Sequence, residues 1–264
     1  MFSFRTLTRF RTYLVESISD LKRKVVYVLD QVFPGYQSIF SDIFGKTSKE
    51  ILLQFSSPID FESVSSETLA ELLAQLSRQK VGAAKAEQLK AAASSSFGVT
   101  FAKNSFTFQL KSLIEQISFI KKQVIETEAE ISCIMGKLES PITAITGIGT
   151  VTGAAILSEI GDISKFDSPR KLAAFAGLDA TVTQSGEFDA THNVMSKREP
   201  PYLRKAIFQP SLIASFKDPV LSVYYQKKRA EGKHPLTCVG AVARKICNII
   251  YAVLKSNQPY VPKA

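Results

Sequence analysis

The sequence predicts a mainly α fold: long coiled-coil helices around a compact insert, followed by a helical C-terminal domain with a helix-hairpin-helix-like element. Two observations carry this. Apolar residues recur at steps of four and three over residues 3–33 and again over 106–138, the seam of a coiled-coil helix. Residues 139–264 are then punctuated by Ser-Pro, Asp-Pro and Gly signals that start and stop helices. With 45% of its 264 residues hydrophobic, the chain can build an ordinary core. Two domains follow, a linker and coiled-coil region with a small helical insert over 1–138 and a C-terminal domain over 139–264.

The first helix carries Leu7, Leu14, Ile18, Leu21, Val25, Val28 and Val32 on its seam, and Phe33-Pro34-Gly35 ends it, because proline disfavours helix before it and glycine permits a turn. In the insert, Ser65 or Ser66 caps a short helix with Leu69, Leu72, Leu73 and Leu76. A second helix is expected at AAKAEQLKAAA, and Ser94-Ser95-Ser96-Phe97-Gly98 reads as a loop. The next long helix places Leu113, Ile117, Ile120, Val124, Ile131, Ile134 and Leu138 on its seam, with Thr127 filling one position. The two heptad helices fit an antiparallel pair, helices shared between protomers, or the lining of a helical-bundle core.

Charge is the unusual quantity. Thirty-three Lys and Arg against 24 Asp and Glu give a net charge of +9, which suits an anionic partner, nucleic acid first and an acidic membrane second. An ordinary basic protein accounts for the same excess. Cys133, Cys238 and Cys247 show neither CxxC spacing nor clustered His, which excludes a zinc-ribbon site and a disulfide framework and suits a reducing compartment. No run reaches the roughly 18 consecutive apolar residues of a membrane span, and the arginine-interrupted N-terminus is no secretory signal. The expected location is the cytoplasm, with no membrane partner.

Candidate chemistry begins at ITAITGIGTVTGAAILSEIG, residues 142–161. A turn at Gly147-Ile148-Gly149 before a small-residue helix starting near Thr150 is the helix-hairpin-helix pattern, whose free N–H groups bind a DNA phosphate. A plain tight turn has the same signature. Ser168-Pro169 and Gly177 delimit a short helix with Leu172, Ala173, Phe175 and Ala176 as core. Thr181-Val182-Thr183 favours extended chain and Ser185-Gly186 is a turn dipeptide. A serine beside glycine on a turn is open enough to attack a phosphodiester, and Lys197, Arg198, Arg204 and Lys205 follow to neutralise phosphate. Turn serines are also commonly structural, and His192 is a further possible base. Pro201 opens a helix that Pro210 is expected to kink or end. Asp218-Pro219 starts a helix to Gly232 whose Lys227, Lys228 and Arg229 either bind phosphate or complement the helix dipole. A last helix, Leu236–Leu254, reads as core through Val239, Val242, Ile246, Ile249, Ile250 and Val253.

Together these stretches resemble the DEDD-type, bridge-RNA-guided insertion-sequence transposases, a family that includes Piv-like DNA invertases. TGIGTVTGAAILSEIGDISKF, LAAFAGLDATVTQSGEF, MSKR, PYLRKAIF and YYQKKRAEGKH carry the C-terminal likeness; LTRFRTYLVESISDLKRKV, VFPGYQSIFSDIFGKTS and SSFGVTF carry the N-terminal one. The resemblance implies a transposase domain whose QSG serine, here Ser185, attacks DNA and forms a phosphoserine link. It implies DNA and a structured RNA as partners, and a homo-oligomer or a full-length transposase assembled through the coiled coil. It also implies a RuvC-like acidic domain that binds Mg²⁺ and precedes LTRFR. This chain starts just short of that motif, so the expectation is an N-terminally truncated chain with no cofactor of its own. Asp20, Asp30 and Asp42 follow the motif and do not replace those acids. Two further departures are Glu199-Pro200 after SKR, where the family has glycine and a small residue, and Thr146 where it has proline.

Overall fold

The computed structural model describes residues 2–80, 82–99, 101, 103–179, 184–185, 188–189, 195–196 and 201–262. Among them the fold is mainly α, as the sequence predicts. Its helices are α1 (Phe2–Val32), α2 (Lys46–Gln54), α3 (Pro58–Ser63), α4 (Ser66–Ser77), α5 (Ala83–Ser94), α6 (Lys103–Leu138), α7 (Thr150–Ile160), α8 (Pro169–Phe175), α9 (Pro201–Lys217), α10 (Pro219–Ala230) and α11 (Pro235–Ser256). A two-residue antiparallel ladder joins β1 (Gln184–Ser185) to β2 (Phe188–Asp189), with Gln184 opposite Asp189 and Ser185 opposite Phe188. The chain forms two compact units, Tyr13–Ile125 and Met1–Thr12 with Glu126–Ala264, so the division falls inside α1 and α6.

In the Tyr13–Ile125 unit, the heptad positions Val25, Val28 and Val32 of α1 and Leu113 and Ile117 of α6 are buried in one core with the insert helices. Fully buried Phe33, Tyr36 and Phe61 form its aromatic centre, with ring centroids 5.5 to 6.3 Å apart, spacings at which tilted rings attract. Ser65 is the cap of α4 and accepts from the Thr68 N–H at 3.1 Å. Two helices of the insert, α2 and α3, were not expected from the sequence. The signal for α3 is Ser57-Pro58-Ile59-Asp60: proline stands at the first helical position and the Asp60 carboxylate accepts from the N–H groups of Ser56 and Ser57.

The loop after α5 returns to the end of α1, where Val99 donates its N–H to the Gln31 carbonyl at 2.8 Å. A Cβ added to Gly98 would lie 2.0 Å from the Val32 carbonyl oxygen and 2.5 Å from its carbon. These are backbone atoms that cannot swing aside. Gly98→Ala is therefore expected to destabilise this unit by about 2 kcal/mol, the usual range for forced overpacking. Denaturant unfolding checks it, and a loss below roughly 0.5 kcal/mol, the size of a neutral surface change, counts against the close approach.

In the other unit α9 packs against α7, α10 and α11, and α8 packs on α11. Val242, Ile246, Ile250 and Val253 of α11 are buried in the core, and Ile249 is partly buried. By length and composition α11 could cross a membrane, but these apolar positions are covered by protein. Of the two effects expected at Pro210, a kink or an end, the second does not occur: α9 runs through it to Lys217. The residue is buried, and helix contacts on both sides outweigh the one hydrogen bond that proline removes. α10 also ends earlier than expected, at Ala230, because Gly232 takes φ +76° two residues further on. Phe175 lies at the rim of the core, 36% exposed, its ring tilted against that of Phe166 with centroids 5.2 Å apart.

The start of α1 is fastened to the end of α7. Arg9 grips the buried Glu159 carboxylate through two hydrogen bonds of 2.7 and 2.9 Å, and its guanidinium also lies 4.6 Å from the Tyr202 ring centroid. Arg5 donates to the Ser158 carbonyl at 2.8 Å, and the hydroxyls of Thr8 and Ser158 meet at 2.9 Å. Bidentate pairing of this kind fixes geometry as well as charge.

Candidate functional site

The turn before α7 is built from alternating buried and open positions. After a short 3₁₀ turn at Pro141–Ala144, Ile145 and Ile148 are buried, and Ile148 donates its N–H to the Ile145 carbonyl at 2.9 Å. Gly147, between them, has φ +89°. A Cβ there would meet the Pro210 carbonyl oxygen at 2.8 Å and Ile213 Cβ at 3.2 Å. Backbone conformation and close packing on α9 therefore both require glycine at 147. Gly149 differs. It is exposed with extended backbone, φ −89° and ψ 179°, and a Cβ there would meet nothing within 4 Å. The fold itself makes no demand for glycine at 149.

Gly149 is the N-cap of α7 and offers no side chain to cap it. The first N–H groups of a helix have no intrahelical partner and carry the positive end of its dipole. Thr150, the first residue of α7, is exposed. The arrangement offers donors to an anion at an accessible helix start.

A buried carboxylate holds this turn in place. Asp218 is fully buried and accepts from the Val220 and Leu221 N–H groups at 3.0 and 2.9 Å, which caps α10. Thr146 donates its hydroxyl to Asp218 Oδ2 at 2.8 Å, and Tyr260 donates to Oδ1 at 3.4 Å. Burial, then the Asp218 charge, pushes the Tyr260 phenol up to about 12. The Asp218-Pro219 cap was legible in the sequence. Its long-range partners Thr146 and Tyr260 were not, since they lie 72 and 42 residues away.

Ser185 stands on β1, its backbone opposite Phe188. Lys197 and Arg198 lie outside the described residues, as do His192, Gly186, Thr181-Val182-Thr183 and Glu199-Pro200. Arg204 and Lys205 are on α9, the helix whose Pro210 closes against Gly147. Lys205 is exposed, whereas Arg204 has one terminal nitrogen, Nη1, buried with no hydrogen-bond partner among the described residues. Ser196 is tied to Asp179 by its N–H at 3.0 Å and by its hydroxyl, and Arg244 of α11 donates to the neighbouring Leu178 carbonyl at 2.8 Å. The Mg²⁺ that the resemblance implies finds no donor set among the described residues, where no three Asp, Glu, His or Cys side chains converge.

Residues 139–226 match the family described as Transposase IS116/IS110/IS902. The chain is 34% identical to the pilin gene-inverting protein of Moraxella bovis over 122 residues, 46% of this chain and 38% of that one. It is 28% identical over 152 residues to an insertion element IS110 protein of Streptomyces coelicolor, covering 56% of this chain and 37% of the other. A 22% identity over 271 residues with an insertion element IS116 protein of Streptomyces clavuligerus covers 98% of this chain and 65% of that relative. The chain thus spans less than two thirds of the length of each of these relatives.

Proposed function

We propose that this chain is the DNA-joining part of an insertion-sequence transposase, with Ser185 as nucleophile and the start of α7 as a phosphate contact. The observation that carries the reading is a coincidence of place. The segment that matches the transposase family, residues 139–226, holds both the Ser185 hairpin and the uncapped, accessible N-terminus of α7. Gly149 supports it further: open space beside a glycine that the fold does not need leaves room for a DNA backbone. In the proposed reaction the Ser185 hydroxyl loses its proton and its oxygen bonds to the DNA phosphorus. The bond from phosphorus to one strand oxygen breaks, and that oxygen leaves with a proton. Attack by a hydroxyl of the second strand then reverses the step, joins the DNA and frees the serine. Lys197, Arg198, Arg204 and Lys205 are assigned to charge neutralisation of the phosphate. The Mg²⁺-binding acids belong to a RuvC-like domain outside the described residues, and a structured RNA and oligomeric partners complete the machine.

Glu199-Pro200 after SKR, an acid where phosphate would be handled, favours a second reading: a non-catalytic DNA- or RNA-binding chain that pairs with full-length transposase. One experiment separates the two. The chain is incubated with element-end DNA and Mg²⁺, alone and with a full-length relative whose own QSG serine is removed. A covalent protein–DNA adduct mapping to the peptide around Ser185 is the expected result. DNA binding that falls steeply with salt, with no adduct in either mixture, would leave the second reading standing.

A further inference from the structure

The C-terminal part of the chain gathers cations that neither the α7 turn nor the Ser185 hairpin uses. Residues 219–247 contain six Lys and Arg and a single acid, Glu231. Lys228 of α10 and Lys245 of α11 both place their ammonium groups on the Tyr224 ring, 5.8 and 5.3 Å from its centroid. Lys228 and Lys233 share Glu231 at 2.8 and 3.0 Å, and Arg229 donates to the Lys233 carbonyl. Those two lysines, by their hydrogen bonds, hold the Glu231 carboxyl at about 2, so it remains ionised and still offsets only one of the charges around it.

Helix polarity explains part of this cluster and not the rest. Lys227, Lys228 and Arg229 lie in the last turn of α10, where the dipole favours cations. Lys233 lies beyond that helix and Lys245 near the middle of α11, where the dipole gives no such reward. Like charges converging on one ring repel each other. A polyanion laid across them relieves that repulsion. The groups are lysines, compact charges without the planar fork that reads base edges, and Tyr224 is engaged by two ammonium groups rather than free to stack on a base. Such a surface suits the repeating phosphates of a backbone.

We propose that Lys228, Lys233 and Lys245 form a second, sequence-independent contact surface for the phosphate backbone of DNA, made by different residues from those at the start of α7. The choice of DNA rests on the transposase reading above. The test is a salt titration of the full chain binding a labelled random-sequence DNA duplex, with a labelled RNA hairpin alongside. The variants are Lys228→Gln/Lys233→Gln/Lys245→Gln, Lys245→Gln alone in case the triple variant unfolds, and Gly149→Val for the α7 contact.

The triple variant is expected to bind DNA about 10-fold to 100-fold more weakly at low salt. Its salt slope should shrink by about 0.9 for each phosphate contact removed, and its unfolding midpoint should be unchanged. Lys245→Gln alone should remove about one such step. Folded variants with an unchanged DNA slope would overturn the proposal, as would a loss confined to RNA. If Gly149→Val weakens DNA binding while the lysine variants do not, this second surface fails and the α7 contact stands. Weakening by the lysine variants alone supports the second surface and removes the α7 contact instead.

Discussion

Ser185→Ala is expected to abolish covalent joining of DNA while leaving DNA affinity within about twofold. The substitution removes one oxygen. Ser185 is paired with Phe188 in the β1–β2 ladder, and a ladder is held by backbone groups that alanine keeps. The phosphate contacts proposed at the start of α7 and on α9 involve other residues and should remain. If the serine oxygen is the atom that bonds to phosphorus, its loss costs roughly 10⁶-fold in rate, the scale seen when a nucleophile is deleted from an otherwise intact site. The measurement pairs an adduct assay with equilibrium binding to the same DNA. Undiminished adduct in the alanine variant would remove Ser185 from the reaction. Equal loss of adduct and of binding would give it a structural role.

The largest expected effect on stability belongs to Asp218→Ala. Four donors converge on this buried carboxylate: two N–H groups of α10, the Thr146 hydroxyl and the Tyr260 phenol. Alanine removes the cap, a change worth about 1 kcal/mol. It also strands buried donors, at about 1–3 kcal/mol, so a total near 3 kcal/mol is expected in denaturant unfolding. Thr146 immediately precedes Gly147, so the turn at α7 loses its tether and DNA affinity should fall with stability. A loss under roughly 0.5 kcal/mol, no more than an ordinary surface substitution, would show that water replaces the carboxylate.

A pH dependence follows from the same contact. The Tyr260 phenol titrates near 12, above its ordinary value of 10.0. Folding therefore favours the neutral phenol. Its contribution is fully present below pH 10 and is lost as pH rises from 10 towards 12. Without the Asp218 charge the phenol should titrate closer to 10, which a difference titration of tyrosinate absorbance between the two proteins would detect.

Much of the fold was legible because its signals are local. Heptad spacing marks α1 and α6 to within a few residues, since one apolar stripe must face protein along most of each helix; Leu138, the last seam position of α6, is instead exposed. Thr127 on the seam of α6 is buried, as its register requires. Ser65, Ser168 and Asp218 each cap the helix that follows, because a short side-chain oxygen reaches the first N–H groups whatever lies beyond. The helices α2 and α3 escaped notice because they are only nine and six residues long, too short for a periodic stripe to stand out.

The candidate site divides along the same line. Sequence alone determined that a glycine turn precedes α7 and that Ser185 stands in a short non-helical stretch, since backbone preference decides both. It also determined the charge excess and the helical class. Only the tertiary structure decided which glycine is structural: Pro210 and Ile213, more than 60 positions away, close on Gly147 and leave Gly149 open. Tertiary packing likewise carried α9 through Pro210, brought Thr146 and Tyr260 to Asp218, and gathered Lys228 and Lys245 on Tyr224. Each depends on contact between elements distant in the chain. Local propensity, worth tenths of a kcal/mol per residue, carries no information about such meetings, and burial, worth about 1–3 kcal/mol per side chain or polar group, decides them.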